Sequence, residues 1–247
     1  MKIRSSLYLL ALIAALLPGS RALAGGVVVV WSEGTAPTNV YPHDINGAIA
    51  DGLKAALPDW EVVKAGIDDP DQGLPEALLN RADVLVWWGH KKHGQVKDEL
   101  VDRIEKRVKE GGMGFIGLHS AHFAKPNKKL LGTPCSWGAY KGDAKAATIR
   151  AKVADHPIAR GVPAQFTIEN GERYADPYAV PAAEAVVFDG VDALKDGTTA
   201  VSQQGFCWTV GQGRMFYLQA GHETNPIYFD ANVRAILANA VKWAAKK

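Results

Sequence analysis

The chain has 247 residues, a formal net charge of +2 and 47% hydrophobic residues. That apolar share can build a core without staples, and a near-neutral charge with no basic block or acidic tail excludes a nucleic-acid or charged-membrane binder held by electrostatics. The two cysteines, Cys135 and Cys207, lack a CxxC spacing and so argue against a structural zinc site; they could pair in an oxidising compartment or be two small buried hydrophobes, and a chain this large does not need the bridge.

Residues 1–24 carry a basic start (Lys2, Arg4), the apolar run "LYLLALIAALL" and a small-residue end, Ala22 to Ala24. This is the pattern of a secretory signal peptide. An uncleaved anchor is the alternative, but the run is short against the ~20 residues that span a bilayer. Either reading puts the folded part outside the cytoplasm, and a secreted, bacterial periplasmic location is expected. About 220 residues then remain, the size of one domain over 25–247.

"VVVVW", 27–31, is a continuous β-branched run, as expected of a strand covered on both faces. Ile45, Ile49, Leu53 and Leu57 repeat at helical steps until Pro58. "WEVVKAG", 60–66, predicts a second strand, "QGLPEALLN" a short helix and "ADVLVWWG", 82–89, a third strand. Over 95–112, Val96, Leu100, Ile104 and Val108 predict the clearest helix, ended by Gly111 and Gly112. "MGFIGL", 113–118, is a fourth buried strand, and "HFAKPNKKLLG" reads as a helix interrupted near Pro126. Strands alternating with helices predict a parallel sheet with helices on both faces. The second half changes character. "ATIRAKV", "AQFTIEN", "EAVVFDG", "TAVSQQ", "FCWTV" and "RMFYLQAG" read as short strands that add an antiparallel or mixed portion, and 228–247 closes the chain as an amphipathic helix.

Ligands of open parallel sheets bind outside the carboxyl ends of the strands. The segment after the first strand carries Glu33, Tyr41, His43 and Asp44. "GHKKH" after the third carries His90 and His93, "HSAHF" after the fourth carries His119, Ser120 and His122, and "GHETNP" after the last carries His222 and Glu223. Six of the seven histidines fall in these four segments, and only His156 lies elsewhere. Imidazoles gathered at one edge serve a metal or acid–base chemistry near neutral pH. The first histidine of each HxxH pair is favoured because each pair starts at a strand end. His90, His119 and His222 are therefore the candidate ligands of a divalent metal, zinc first, with no nucleotide cofactor. Glu33 or Glu223 could supply a carboxylate ligand or a general base, or Glu223 could orient His222. The catalytic candidates are Glu33, His119, His222 and Glu223; the substrate-binding candidates are Trp88, Tyr41, Asn46 and Ser120.

Two motifs mislead. "GMGFIG", 112–117, matches GxGxxG in letters, but its order is helix, glycines, strand, the reverse of a dinucleotide fingerprint. "GLHSA", 117–121, has the setting of a nucleophile elbow, yet its centre is His119, and Ser120 falls one place late for a serine hydrolase. Among the aromatics, Trp137, Tyr140, Tyr174 and Tyr178 read as loop residues, while Trp208 and Phe216 read as core.

"VLVWWGHKKHGQVKDELVDRI", "GFIGLHSAHFAKPNKKLLGT", "DHPIARGV" and "GRMFYLQAGHETNPIYFDANVRAILANAVKWA" together resemble the trehalose-utilisation, or ThuA-like, family. The resemblance implies an α/β fold: a flavodoxin-like, class I glutamine amidotransferase-like, mostly parallel sheet with helices on both faces and extra late strands. It places His119 where the amidotransferases have their cysteine, so glutaminase chemistry is not expected. It also implies a role with trehalose or other glucosides, including 3-keto derivatives. In "YPHDIN", Asp44 stands for a glycine and Asn46 for a histidine of the family's YPxGxH, and "WSEG" replaces "WNE" but keeps Glu33. The expected partner is a small-molecule carbohydrate, with no nucleic acid and no stable membrane insertion after signal cleavage; a homo-oligomer is allowed. Two functions follow: an enzyme acting on a glucoside or 3-keto-glycoside as hydrolase, lyase or isomerase, or a non-catalytic carbohydrate-binding or scaffolding protein whose site has degenerated.

Overall fold

A computed structural model describes residues 25–142, 144–169 and 172–247. The signal-peptide expectation lies outside the described residues. The chain runs β1 (Gly26–Ser32), α1 (Asp44–Ala56), β2 (Trp60–Gly66), α2 (Glu76–Arg81), β3 (Val84–Trp88), α3 (Asp98–Lys109), β4 (Gly114–Leu118), α4 (Lys125–Leu131), β5 (Trp137–Lys141), β6 (Ala144–Ala151), β7 (Gln165–Glu169), β8 (Arg173–Tyr178), β9 (Ala185–Leu194), β10 (Thr199–Val210), β11 (Gly213–Leu218) and α5 (Ala231–Ala244).

Nine strands form one sheet in the order β2-β1-β3-β4-β11-β10-β9-β6-β7. The first five in that order are parallel, and from β10 onward each neighbour is antiparallel. The alternation of side chains along a strand splits the apolar runs between two faces. Val28, Val30, Val84, Val86 and Trp88 pack under α1 and α5, with Ile49, Leu53, Ile236 and Val241. Val29, Trp31, Leu85 and Trp87 pack on the opposite face, with Leu79 of α2, Leu100 and Ile104 of α3 and Leu130 of α4. There the rings of Trp31 and Trp87 stack with centroids 3.7 Å apart. The unbroken apolar runs are thus two half-faces, each covered by its own helix layer. Cys135 and Cys207 are both buried and unpaired. No described helix is long and apolar enough to cross a membrane.

Three sequence expectations need correction. Pro126 does not interrupt a helix; a 3-10 turn, His119–Phe123, comes first, and Pro126 lies in the first turn of α4, where a missing N–H costs no bond. "TAVSQQ" and "FCWTV" are one strand, β10, whose pairing with β9 shifts between Gln203 and Phe206. Trp137, Tyr140, Tyr174 and Tyr178 are not loop residues. They lie on β5 and β8, an antiparallel two-stranded ribbon in which Tyr140 faces Tyr174 and Trp137 faces Tyr178. The Trp137 and Tyr178 rings stack at 4.2 Å, so cross-strand aromatic contact holds a ribbon that Gly138 and Pro177 hide in the sequence.

Candidate active site

The carboxyl ends of β3, β4 and β11 lie side by side, and Tyr174 of the β5–β8 ribbon meets Ser120 and His119 after β4 and Gln219 after β11. Each end delivers one imidazole. After β3, Gly89 turns the chain; a Cβ there would lie 2.8 Å from Glu33 Oε1, so only glycine lets the loop close on that carboxylate. Glu33 Oε2 accepts the backbone N–H groups of His90, Lys91 and Lys92 at 2.8, 2.6 and 2.9 Å, which fixes where His90 stands. After β4, His119 takes a positive φ of 51°, the left-handed conformation of an elbow that holds its side chain out over the sheet edge. After β11, Gly221 precedes His222, and its carbonyl accepts the indole N–H of the buried Trp88 at 2.9 Å.

The three rings meet. Centroids of His90 and His119 are 5.9 Å apart, His90 and His222 5.0 Å, and His119 and His222 5.4 Å. Two carboxylates close the group. Glu223 Oε2 lies 2.5 Å from His90 Nδ1 and 3.4 Å from His222 Nε2, while its Oε1 receives the Lys91 ammonium at 2.6 Å. Glu172, immediately before β8, faces His119 Nε2 through Oε2 at 3.0 Å and His222 Nε2 through Oε1 at 2.9 Å. The Tyr140 hydroxyl donates to Glu172 Oε1 at 2.8 Å. Tyr174 OH sits 2.7 Å from Ser120 Oγ and 3.2 Å from His119 Nε2.

Burial alone would raise both carboxylates, but hydrogen bonds outweigh it. His90 and Lys91 bring Glu223 down to about 2, and His119 and His222 hold Glu172 well below the carboxylate range. The hydrogen bond to Glu223 raises His90, whereas burial lowers His119. The site therefore combines two ionised carboxylates with three imidazoles and the Lys91 side chain. It can hold a cation, and it can move a proton to or from a bound molecule.

His90, His119, His222 and Glu223 come together, and Ser120 joins them through Tyr174. Other predicted residues stand elsewhere. Glu33 is fully buried and holds the 90–92 backbone, so it is a loop clamp and not a base or ligand in the cluster. Tyr41 is buried, donates to the Asn225 carbonyl at 2.5 Å and stacks on Phe229. Asn46, on α1, donates to the Ala65 carbonyl of β2 at 2.9 Å. Trp88 lies wholly beneath the site with no face for a sugar. Asp44, where the family pattern has glycine, takes a φ of 57°, and its carboxylate accepts from Ala36 N–H and from Ser32 Oγ. His93 lies 3.6 Å from Glu33, and His122 is buried among Tyr174, Tyr178 and Tyr217. Sequence reasoning missed Glu172, Tyr140, Tyr174 and Lys91. For Glu172 and Tyr174 the available signal was the density of polar and aromatic residues in "ENGERYADPY"; Lys91 lay inside the quoted "GHKKH".

A model of the ThuA family, described as trehalose utilisation, matches residues 27–244. Among solved structures, a ThuA-like protein from Bacteroides uniformis is similar at 18% identity and a TM-score of 0.60, covering 89% of this chain and 91% of its own. One from Parabacteroides merdae is similar at 13% identity and a TM-score of 0.65, covering 90% of each chain. A glutamine amidotransferase from Thermotoga maritima shares the fold at 12% identity and a TM-score of 0.55, over 90% of this chain and 99% of its own. No curated protein matches the chain.

Proposed function

Because the chain belongs to the ThuA, or trehalose-utilisation, family, which associates it with carbohydrate use, we propose that it is an exported enzyme that transforms a glucoside or 3-keto-glycoside by proton transfer. The observation that carries this reading is the convergence of His90, His119, His222, Glu172 and Glu223 at the carboxyl edge of the parallel strands. Export is inferred from the N-terminal pattern alone.

A carbonyl in the sugar ring acidifies the C–H beside it. Removing that proton needs a base, and the enediolate that forms needs positive charge or hydrogen-bond donors at its oxygen. Glu172, ionised and held by Tyr140 and His222, is the base. The Lys91 ammonium and the Tyr140 and Tyr174 hydroxyls are donors for sugar oxygens. Isomerisation and β-elimination both begin with this step. Ordinary glycoside hydrolysis fits less well. It calls for one carboxyl kept protonated as general acid, whereas Glu172 and Glu223 are both held well below the ordinary carboxylate range. The Asn46 substitution, which favoured the non-catalytic alternative, lies outside the cluster, with its amide donating to the Ala65 carbonyl of β2.

The test is exchange or turnover of 3-keto-glucosides in D2O, followed by NMR. Deuterium should enter at the carbon beside the carbonyl with the wild type and fall at least 100-fold with Glu172→Gln or His119→Ala. If the wild type binds the keto-sugar but neither exchanges nor converts it, the enzyme reading is wrong and the binding reading replaces it.

A further inference from the structure

Two groups of three donors in the site have atoms close enough to share one ion, and both include His222. One is His119, Glu172 and His222; the other is His90, His222 and Glu223. In each, the donor atoms lie within 4.8 Å of one another. An ion bound tetrahedrally at 2.0–2.1 Å sets its ligands about 3.3 Å apart. The first group comes near that spacing, at 3.0 Å from His119 Nε2 to Glu172 and 2.9 Å from His222 Nε2 to Glu172.

The surroundings separate the two. Glu223 already receives the Lys91 ammonium at 2.6 Å, and an ion beside it would meet that positive charge. His90 turns its Nδ1 onto the same carboxylate at 2.5 Å. In the first group each donor has an outer partner that orients it, as metal-binding imidazoles and carboxylates require. The Gln219 carbonyl takes the Nδ1 proton of His119 at 3.0 Å, which leaves Nε2 as the ring's ligand atom, toward Glu172. Thr224 Oγ1 lies 2.7 Å from His222 Nδ1, and Tyr140 OH holds Glu172 at 2.8 Å. The Thr224 N–H also points at His222 Nδ1, at 3.2 Å, which suits a proton on Nε2 in the ion-free ring. Ion binding would move that proton to Nδ1, where Thr224 Oγ1 accepts it.

We propose that His119, Glu172 and His222 form a three-ligand site for one divalent transition-metal ion of zinc type. Two neutral imidazoles and one carboxylate suit a borderline-soft ion better than magnesium or calcium, which take oxygen ligands. Three protein ligands leave a coordination position for water or a sugar oxygen. The ion would supply Lewis-acid stabilisation to an oxygen that becomes negative during proton removal. This deepens the proposed function and rests on it: one Glu172 oxygen would bind the ion and the other would remain the base, and because the test of the ion uses no sugar, the two readings can fail separately.

Full-length protein is stripped with a chelator, and zinc chloride is titrated calorimetrically. Cobalt chloride serves as the spectroscopic probe. One ion per chain is expected, with the strong visible absorption of four-coordinate cobalt. Glu172→Gln and His222→Ala should weaken zinc binding at least tenfold, whereas His90→Asn should stay within threefold. Circular dichroism checks that each variant is folded, and Glu172→Asp replaces any that is not. Zinc should also shift the His222 ring nitrogen resonances as its proton changes place. Absence of stoichiometric zinc and cobalt binding to the wild type overturns the proposal. So does zinc binding that survives Glu172→Gln but is lost in His90→Asn, which would move the ion to the other group.

Discussion

Gln219 holds both halves of the site: its backbone carbonyl accepts the Nδ1 proton of His119 at 3.0 Å, and its side-chain Nε2 donates to the Tyr174 carbonyl at 2.7 Å. Its Oε1 is met by the Gln204 amide, which also donates to Ser202 Oγ at 3.0 Å. A buried polar line thus runs from β10 to the ribbon residue two places after Glu172. Gln219→Leu leaves the Tyr174 carbonyl and the Gln204 amide without this partner, and a buried unpaired group costs about 1–3 kcal/mol. Urea denaturation should report a loss of that size. Turnover should fall further than stability alone explains, because Glu172 is no longer anchored from behind. Unchanged turnover with unchanged stability would show that the ribbon is held by its aromatic contacts alone.

Glu33 separates a clamp from a base. Its Oε2 serves three backbone N–H groups. Glu33→Gln keeps a carbonyl oxygen for them, so stability should fall by about 1 kcal/mol and turnover should remain within a few-fold. Glu33→Ala removes the acceptor and should cost about 3 kcal/mol, since hydrogen bonds to a charged group are worth about 1.5–3 kcal/mol each and part of that is recovered by water. Urea midpoints and rates for both variants check this. A Gln variant that folds normally but loses activity a thousandfold would return Glu33 to the list of bases.

His122 predicts an acid limit to stability. Burial depresses its folded-state pKa to about 3, while an unfolded chain has about 6.5. Between those values the unfolded chain binds a proton that the folded chain refuses. Stability should therefore be full above about pH 6.5 and fall as pH drops toward 3, by up to roughly 4 kcal/mol. Other groups also titrate in this window, so the informative quantity is the difference between wild type and His122→Gln. The variant should be less stable at pH 7.5, because the bond from His122 to the His119 carbonyl at 3.0 Å is altered, but its stability should decline less between pH 6.5 and 4. Parallel pH profiles would refute the assignment.

The sheet was legible because β-branched runs and helical repeats are local signals. His90, His119 and His222 were legible as a group because each follows a parallel strand, and the fold class then says which ends are neighbours. Glu172 was not, since β8 is short, carries Pro177 and meets β5 across more than thirty residues of chain. Nothing periodic marks such a ribbon. Glu33 could be placed near the site but not given its task, because that depends on the backbone direction of residues 90–92. Asn46 misled in the same way: a family pattern names a position, but the orientation of α1 sends this side chain to the β2 carbonyl.

Tyr140 offers a test of the site that leaves the fold alone. It lies on β5, is 59% exposed, and touches the cluster only by donating to Glu172 and by facing Tyr174 at 6.0 Å. Substitutions at exposed positions usually change stability by less than about 0.5 kcal/mol, and a phenylalanine ring keeps the contact with Tyr174. Tyr140→Phe should therefore melt with the wild type, yet free Glu172 of a donor and raise the basicity of its carboxylate. If Glu172 is the base, the acidic limb of the kcat/KM profile should move to higher pH. Tyr140→Ala should add a loss of sugar affinity, seen as a several-fold rise in KM, because the ring is a large apolar face at the mouth of a polar site and sugars stack on such faces. A KM unchanged in both variants would remove Tyr140 from the substrate path. An acidic limb that stays put in Tyr140→Phe would mean that the proton is taken by a group other than Glu172.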